Sequence, residues 1–150
     1  MITFDFDSTI TLPRWSEDDE LWLEGDQPNT TVVGLIRRFA SFGNSVFIAT
    51  SASVEASTSR QFVEKHNLPI VRILHTTPDK VDTLKECGGV IHFDDDIHTI
   101  NALLKDTSIV CVWVPHPLDV SMEMRPNDGA VHIDKFMTDL TFWFMQRNLL

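Results

Sequence analysis

The sequence predicts an α/β protein, a three-layer sandwich on a central parallel sheet of five strands, in a single domain over residues 1–150. Short apolar runs recur along the chain, rich in β-branched and aromatic residues and continuous rather than alternating, as strands covered on both faces are. Stretches with helical spacing of apolar residues separate these runs, and strand–helix alternation is the mark of a parallel sheet flanked by helices. Right-handed crossovers then gather the carboxyl ends of the strands on one edge, where ligands of such sheets bind.

The predicted strands are Ile2 to Phe4, Val46 to Ala49, Ile70 to Leu74, Val90 to Phe93 and Ile109 to Val114. A helix is predicted over Thr30 to Phe42, with Val32, Val33, Ile36, Phe39 and Ala40 on one stripe and Gly43 as its stop. Ser53 to His66 reads as a second helix, polar at first and apolar at Phe62 and Val63. Thr77-Pro78 has the form of an N-cap followed by proline at the first helical position, opening a short helix that Gly88-Gly89 ends. Ile97 to Lys105 and Asp134 to Arg147 complete the helices, the last aligning Ile133, Phe136, Met137, Leu140, Trp143 and Phe144. Residues 10–28 read as an insertion with six acidic residues and two tryptophans, a small flap, and residues 115–130 read as irregular.

Composition limits the function. The net charge of −10 disfavours a protein that wraps extended nucleic acid with a basic face. It leaves a phosphorylated ligand open, because a bound cation inverts the local field. Of the two cysteines, Cys111 sits in an apolar run and reads as a small buried hydrophobe; with Cys87 it forms no metal or redox motif, which favours a reducing, cytoplasmic setting. No run approaches membrane-spanning length, and Asp5 and Asp7 interrupt the place where a signal peptide needs an apolar stretch. The aromatic run Phe142 to Met145 covers more than one helical face, which suits core packing and leaves self-association into a homo-oligomer open.

The chemistry lies in what ends each strand. The first run is followed by Asp5 and Asp7, the second by Thr50-Ser51, the fourth by Asp94-Asp95-Asp96, and Lys80 opens the helix leading into the fourth. Asp is 15 of 150 residues, so a lone Asp-x-Asp arises by chance; the ordered set is what carries information. Carboxylates gathered at one edge repel unless a cation joins them, and oxygen-only ligation suits Mg²⁺. Asp5, Asp7, Asp94 and Asp95 are therefore the candidate metal residues. Asp5 is the candidate nucleophile and Asp7 the acid–base partner, with Thr50, Ser51 and Lys80 to bind phosphate. Thr50 competes with Ser51 for that contact, the metal pair is Asp94-Asp95 or Asp95-Asp96, and Asp96 also reads as the N-cap of the helix at Ile97.

This ordered pattern resembles the haloacid dehalogenase superfamily. The likeness covers roughly residues 2–114: a strand followed by Asp5-Phe6-Asp7-Ser8-Thr9, VFIAT ending in Thr50, Lys80, and VIHFDD ending in Asp94 and Asp95. The resemblance implies a Rossmann-like sheet, Mg²⁺-dependent phosphoryl transfer through an aspartyl-phosphate and, from the second aspartate Asp7, a phosphatase. Two features depart from the family pattern: Ser8 stands where glycine is frequent, and the interval from Lys80 to Asp94 is short, which Lys85 would shorten further. Both usual cap positions are nearly empty, so the chain resembles a capless member. Its expected substrate is a nucleotide, a nucleic-acid end or another small phosphomonoester, with a loose likeness to the phosphatase domains of polynucleotide kinases.

Other classes weigh against this. A phospho-accepting receiver domain needs its aspartate on strand three, which here ends Leu74-His75. A non-catalytic phosphate-binding or regulatory protein would not need both Asp5 and Asp7. His92 and His98 flank the acidic triplet, but no zinc spacing accompanies them, and they read as ordinary strand and helix positions. Trp15 and Trp22 read as anchors of the flap or as a platform for a base.

Overall fold

The computed structural model describes residues 1–76 and 79–146, residues 143–146 in backbone only. Its main sheet is parallel and has six strands: β1 (Ile2–Phe4), β4 (Val46–Thr50), β5 (Arg72–His75), β6 (Ile91–Asp94), β7 (Val110–Trp113) and β8 (Val131–His132), in the order β5-β4-β1-β6-β7-β8. The expected count of five is corrected by β8. This two-residue strand pairs Val131 with Val112 and His132 with Trp113. It was hidden because two residues carry no periodicity. The stretch read as irregular also holds a short helix, α5 (Pro117–Ser121), with proline at its first turn and His116 as its cap.

The helices α1 (Thr30–Ser41), α2 (Ser59–Lys65), α3 (Lys80–Glu86), α4 (Ile97–Asp106) and α6 (Ile133–Gln146) cover both faces. The helix expected from Ser53 begins only at Ser59, because local hydroxyls compete for the backbone: Ala56 N–H bonds to Ser53 Oγ, and Ser59 N–H to Ser57 Oγ. Helix α3 takes its N-cap from Asp79, whose carboxylate accepts from the amides of Val81 and Asp82. The expected cap at Thr77-Pro78, the helix end at Arg147 and the side chains of Trp143, Phe144 and Met145 lie outside the described residues.

Strand alternation divides the core in two. Ile2 and Phe4 of β1, Ile48 of β4, Phe93 of β6 and Val112 of β7 pack with Leu35, Ile36 and Phe39 of α1, Phe62 of α2 and Phe136 of α6. Phe4 stacks on Phe93 with ring centroids 4.2 Å apart, and Phe136 meets Phe93 edge-on at 5.2 Å. Ala49, Cys111 and Trp113 pack on the other face with Leu84 of α3 and Ile97, Ile100 and Leu103 of α4. Cys111 is fully buried, and neither cysteine is bonded to the other. Among the described residues no helix is long and apolar enough to cross a membrane.

Between β1 and α1 the chain leaves the sheet as a hairpin, β2 (Arg14–Ser16) paired antiparallel with β3 (Leu21–Leu23). Its base is tied by Leu12 N–H to Gln27 O at 2.8 Å and Asn29 N–H to Ile10 O at 2.7 Å. Gly25 is required there, because a Cβ would stand 1.9 Å from Leu12 O. Trp15 and Trp22 meet edge-on across the hairpin at 5.5 Å, and Trp22 meets the His116 ring at 6.0 Å. Neither tryptophan belongs to the two core clusters, so they bind the hairpin to itself and to the segment after β7.

Phe93 is the centre of the larger cluster, fully buried against rings on three sides. Phe93→Ala is expected to cost about 3–5 kcal/mol in urea unfolding. A loss below about 1 kcal/mol would contradict this packing.

Candidate active site

The site forms where β1 and β6 end side by side. Thr3 lies opposite His92 and Phe4 opposite Phe93 in the parallel ladder, and Asp5 N–H continues it to Phe93 O at 2.8 Å. Side chains alternate along a strand, so Thr3, Asp5, His92 and Asp94 share the face opposite Phe4 and Phe93. That face lies under α3, whose first residue is Lys80. Its ammonium donates to Asp5 Oδ1 at 2.8 Å and to Asp94 Oδ2 at 3.2 Å. Three residues distant in sequence thus meet in a buried ion-pair network.

One oxygen each from Asp5, Asp94 and Asp95 lies within 4.8 Å of the other two. The three carboxylates differ in how they are satisfied. Asp94 is fully committed: Oδ1 accepts from Asp96 N–H at 2.9 Å, and Oδ2 accepts from Lys80 and from His92 Nε2, the latter at 2.8 Å. Burial works against its charge, but Lys80, His92 and the Asp96 amide outweigh burial and bring its pKa down to about 2. Asp95 has the reverse balance. Burial, then the charges of Asp5 and Asp94, push it up to about 10. Asp5 is raised to about 6, chiefly by burial and next by Asp94, against the pull of Lys80. Lys80 is held above its ordinary value: burial lowers it, and the charges of Asp94 and Asp5 more than reverse that.

A single lysine therefore faces three carboxylates, and burial with the charges of Asp5 and Asp94 pushes Asp95 hardest toward its protonated form. The donor set is all oxygen, confined and short of positive charge, which fits a hard divalent cation such as Mg²⁺. Asp94 accepts from three donors, Asp5 from Lys80 and Thr9, and Asp95 from Thr9, so Asp5 and Asp95 are the less committed members of the trio.

The remaining predicted residues are spread around this centre. Residues Phe6–Ile10 make one wide turn, closed by Thr11 N–H to Phe6 O at 3.2 Å. Ser8 sits at its apex with φ 60°, in the left-handed region that favours glycine. Its amide donates to Thr11 Oγ1 and its hydroxyl to Glu24 Oε2 on the flap. Asp7 stands outside the trio and is half-buried; burial and then the Glu24 charge raise its pKa, against Lys80. Thr50 is buried at the end of β4, where its hydroxyl accepts from Ala52 N–H at 3.2 Å. Its carbonyl receives both the amide and the hydroxyl of Thr76. Ser51 is exposed on the loop that follows. Asp96 caps α4, accepting from His98 N–H and Thr99 Oγ1.

Three participants escaped the sequence reading. Thr9 is fully buried and its hydroxyl lies 3.3 Å from both Asp5 Oδ2 and Asp95 Oδ1. Glu24 reaches the Asp7 turn from the flap. His92, read as an ordinary strand position, is bonded to Asp94. The two-residue spacing of His92 and Asp94 places them on one strand face, which is the signal that could have found the contact.

No protein-family model matches the chain, and no curated protein matches it in sequence. Among solved structures the chain is similar to D,D-heptose 1,7-bisphosphate phosphatase from B. bronchiseptica, complexed with magnesium and phosphate. The TM-score is 0.57 and the identity 13%, covering 92% of this chain and 98% of that one. It is also similar to a hypothetical protein from Xanthomonas campestris, with TM-score 0.48 and 16% identity over 86% of this chain and 71% of that one. At 13% identity the first likeness establishes the fold.

The trio predicts a pH dependence for the metal-free protein. Burial and the charges of Asp5 and Asp94 raise Asp95 from 3.8 to about 10, so the native side chain is expected to hold a proton that the unfolded one has released. Between those values the unfolded state binds fewer protons, so this group makes stability fall as pH rises. Asp94 acts oppositely: its contribution is present above 3.8 and is lost as pH falls through about 2. Calorimetry from about pH 6 to about pH 9 in chelator is expected to show a falling Tm, with the fall shallower in Asp95→Asn. Mg²⁺ is expected to raise Tm more at the alkaline end, because ligation requires the carboxylate. A wild-type Tm that rises through this range, with Mg²⁺ without effect, would contradict the assignment.

Proposed function

We propose that this chain, which carries the fold of the haloacid dehalogenase superfamily, is a Mg²⁺-dependent phosphomonoester hydrolase that works through an aspartyl-phosphate on Asp5. The observation that carries this reading is the Lys80 ammonium 2.8 Å from Asp5 Oδ1, beside a trio of carboxylates whose oxygens lie within 4.8 Å of one another.

Asp5 is oriented before any substrate arrives. Lys80 holds Oδ1 and the Thr9 hydroxyl holds Oδ2, which limits rotation of the carboxylate about its bond. An Asp5 oxygen attacks phosphorus as the bond to the leaving oxygen breaks. Asp7, whose raised pKa favours the protonated form, gives its proton to that oxygen. The ionised Asp7 then takes a proton from water as that water attacks the phosphoryl group, which releases phosphate and restores the Asp5 carboxylate. Lys80 has a third N–H to give to a phosphoryl oxygen, and Thr50 and Ser51 supply hydroxyl donors from the end of β4. Bound Mg²⁺ would be held by the carboxylates of Asp5 and Asp95 and would draw negative charge from the phosphoryl oxygens. Of the four residues expected at the metal, Asp94 serves in this reading as the anchor of Lys80.

Residues 10–28, which carry the hairpin, are the small flap of a single capless domain, and the substrate is a small phosphomonoester, nucleotides included. Glu17, Asp18, Asp19 and Glu20 on the flap repel a polyanionic strand. The phosphatase named above is similar in fold and carries a phosphorylated sugar in its name, which supports a small-molecule substrate. The free cysteines agree with a cytoplasmic setting. A non-catalytic phosphate binder would leave the raised pKa of Asp7 without use.

Hydrolysis of p-nitrophenyl phosphate with Mg²⁺ tests the reading. Asp5→Asn is expected to abolish turnover, and Asp7→Asn to lower kcat by about 10²–10⁴-fold. Chelation of the metal is expected to stop the reaction reversibly. Equal rates in wild type and Asp5→Asn would overturn the proposal.

A further inference from the structure

The centre of the sheet holds a polar pair whose place an apolar pair could fill. Thr3 on β1 and His92 on β6 are both fully buried and directly opposed in the ladder. Burying an imidazole and a hydroxyl is costly unless every group finds a partner. Here they do. The Thr3 hydroxyl lies 2.8 Å from His92 Nδ1 and 3.4 Å from Ile91 O. On the other side of the ring, Nε2 lies 2.8 Å from Asp94 Oδ2, so both ring nitrogens are engaged. Asp94 Oδ2 also receives Lys80, which in turn donates to Asp5.

We propose that Thr3 and His92 form a buried positioning relay that, through Asp94, sets where the Lys80 ammonium stands against Asp5. Lys80 reaches the site on a flexible four-carbon stem, so its charge stays in place only if a rigid acceptor fixes it. Asp94 is that acceptor, and it is pinned at both oxygens: the Asp96 amide holds Oδ1 and the His92 ring holds Oδ2. The ring is locked by Thr3 from the other side, on a central strand that cannot shift without breaking the ladders on both its edges. Neither Thr3 nor His92 touches the substrate; they act through the residues that do, as outer partners orient ligating groups in metal sites. Chemistry alone requires a lysine and an acid; the Thr–His pair adds a fixed partner behind that acid.

The kinetic part of this inference rests on the phosphatase reading; the placement of Lys80 does not, so two readouts are combined. The first is the Lys80 ammonium resonance in NMR, sharp when its protons are bonded and sheltered from water. The second is steady-state hydrolysis of p-nitrophenyl phosphate with Mg²⁺. Thr3→Val removes the hydroxyl while keeping a β-branched side chain in the strand, and His92→Leu removes the ring. His92→Gln restores an amide N–H toward Asp94. Thr3→Val and His92→Leu are expected to broaden the Lys80 signal and lower kcat by about 10–100-fold with KM little changed, and His92→Gln to recover most of both. Should His92→Leu not fold, Thr3→Val and His92→Gln still decide the matter. An active wild type whose Lys80 signal and kcat are indifferent to Thr3→Val would overturn the relay alone. An inactive wild type whose Lys80 signal responds as expected would overturn the phosphatase reading and support the relay.

Discussion

The site depends on charge balance at the end of two neighbouring strands. Three carboxylates meet within 4.8 Å and one lysine stands among them. Like charges this close in a buried setting cannot all ionise without a partner. The protein resolves the conflict unequally. It surrounds Asp94 with donors that hold its pKa down, while burial and the charges of Asp5 and Asp94 push that of Asp95 up. A divalent cation would relieve Asp95 most, because the carboxylate least able to ionise alone gains most from a metal.

The fold supplies this arrangement through alternation. Phe4 and Phe93 stack on one face and build the larger core; their neighbours Thr3, Asp5, His92 and Asp94 necessarily point to the other. The same aromatic packing that stabilises the sheet therefore fixes the height and direction of the acids. Helix α3, capped by Asp79, delivers Lys80 at its first turn, directly over that row. The flap adds a further boundary. It touches the site through Ser8 and Glu24 and leans on His116 through Trp22.

Much of this was legible in the sequence because it rests on strong local signals. Continuous apolar runs marked the central strands, and the acids after them marked the sheet edge. Other parts lay beyond such signals. Two-residue β8 forms only because β7 offers an edge, so its stability is tertiary. The start of α2 was missed because serine hydroxyls outcompete helix formation over 53–58. The two-residue spacing of His92 and Asp94 puts them on one strand face, but that the two bond there is set by burial beneath α3. The division of labour between Asp94 and Asp95 was equally hidden, since it is set by which oxygens the Asp96 amide, His92 and Lys80 already occupy.

The most direct measurement is a crystal structure grown with Mg²⁺ and beryllium fluoride, a mimic of the phosphoryl group on a carboxylate. The account predicts an ion at roughly 2.1 Å from oxygens of Asp5 and Asp95, with fluoride on Asp5 and Asp94 still bonded to Lys80 and His92. An ion ligated by Asp94 with Lys80 displaced, or no ion within the trio, would contradict it.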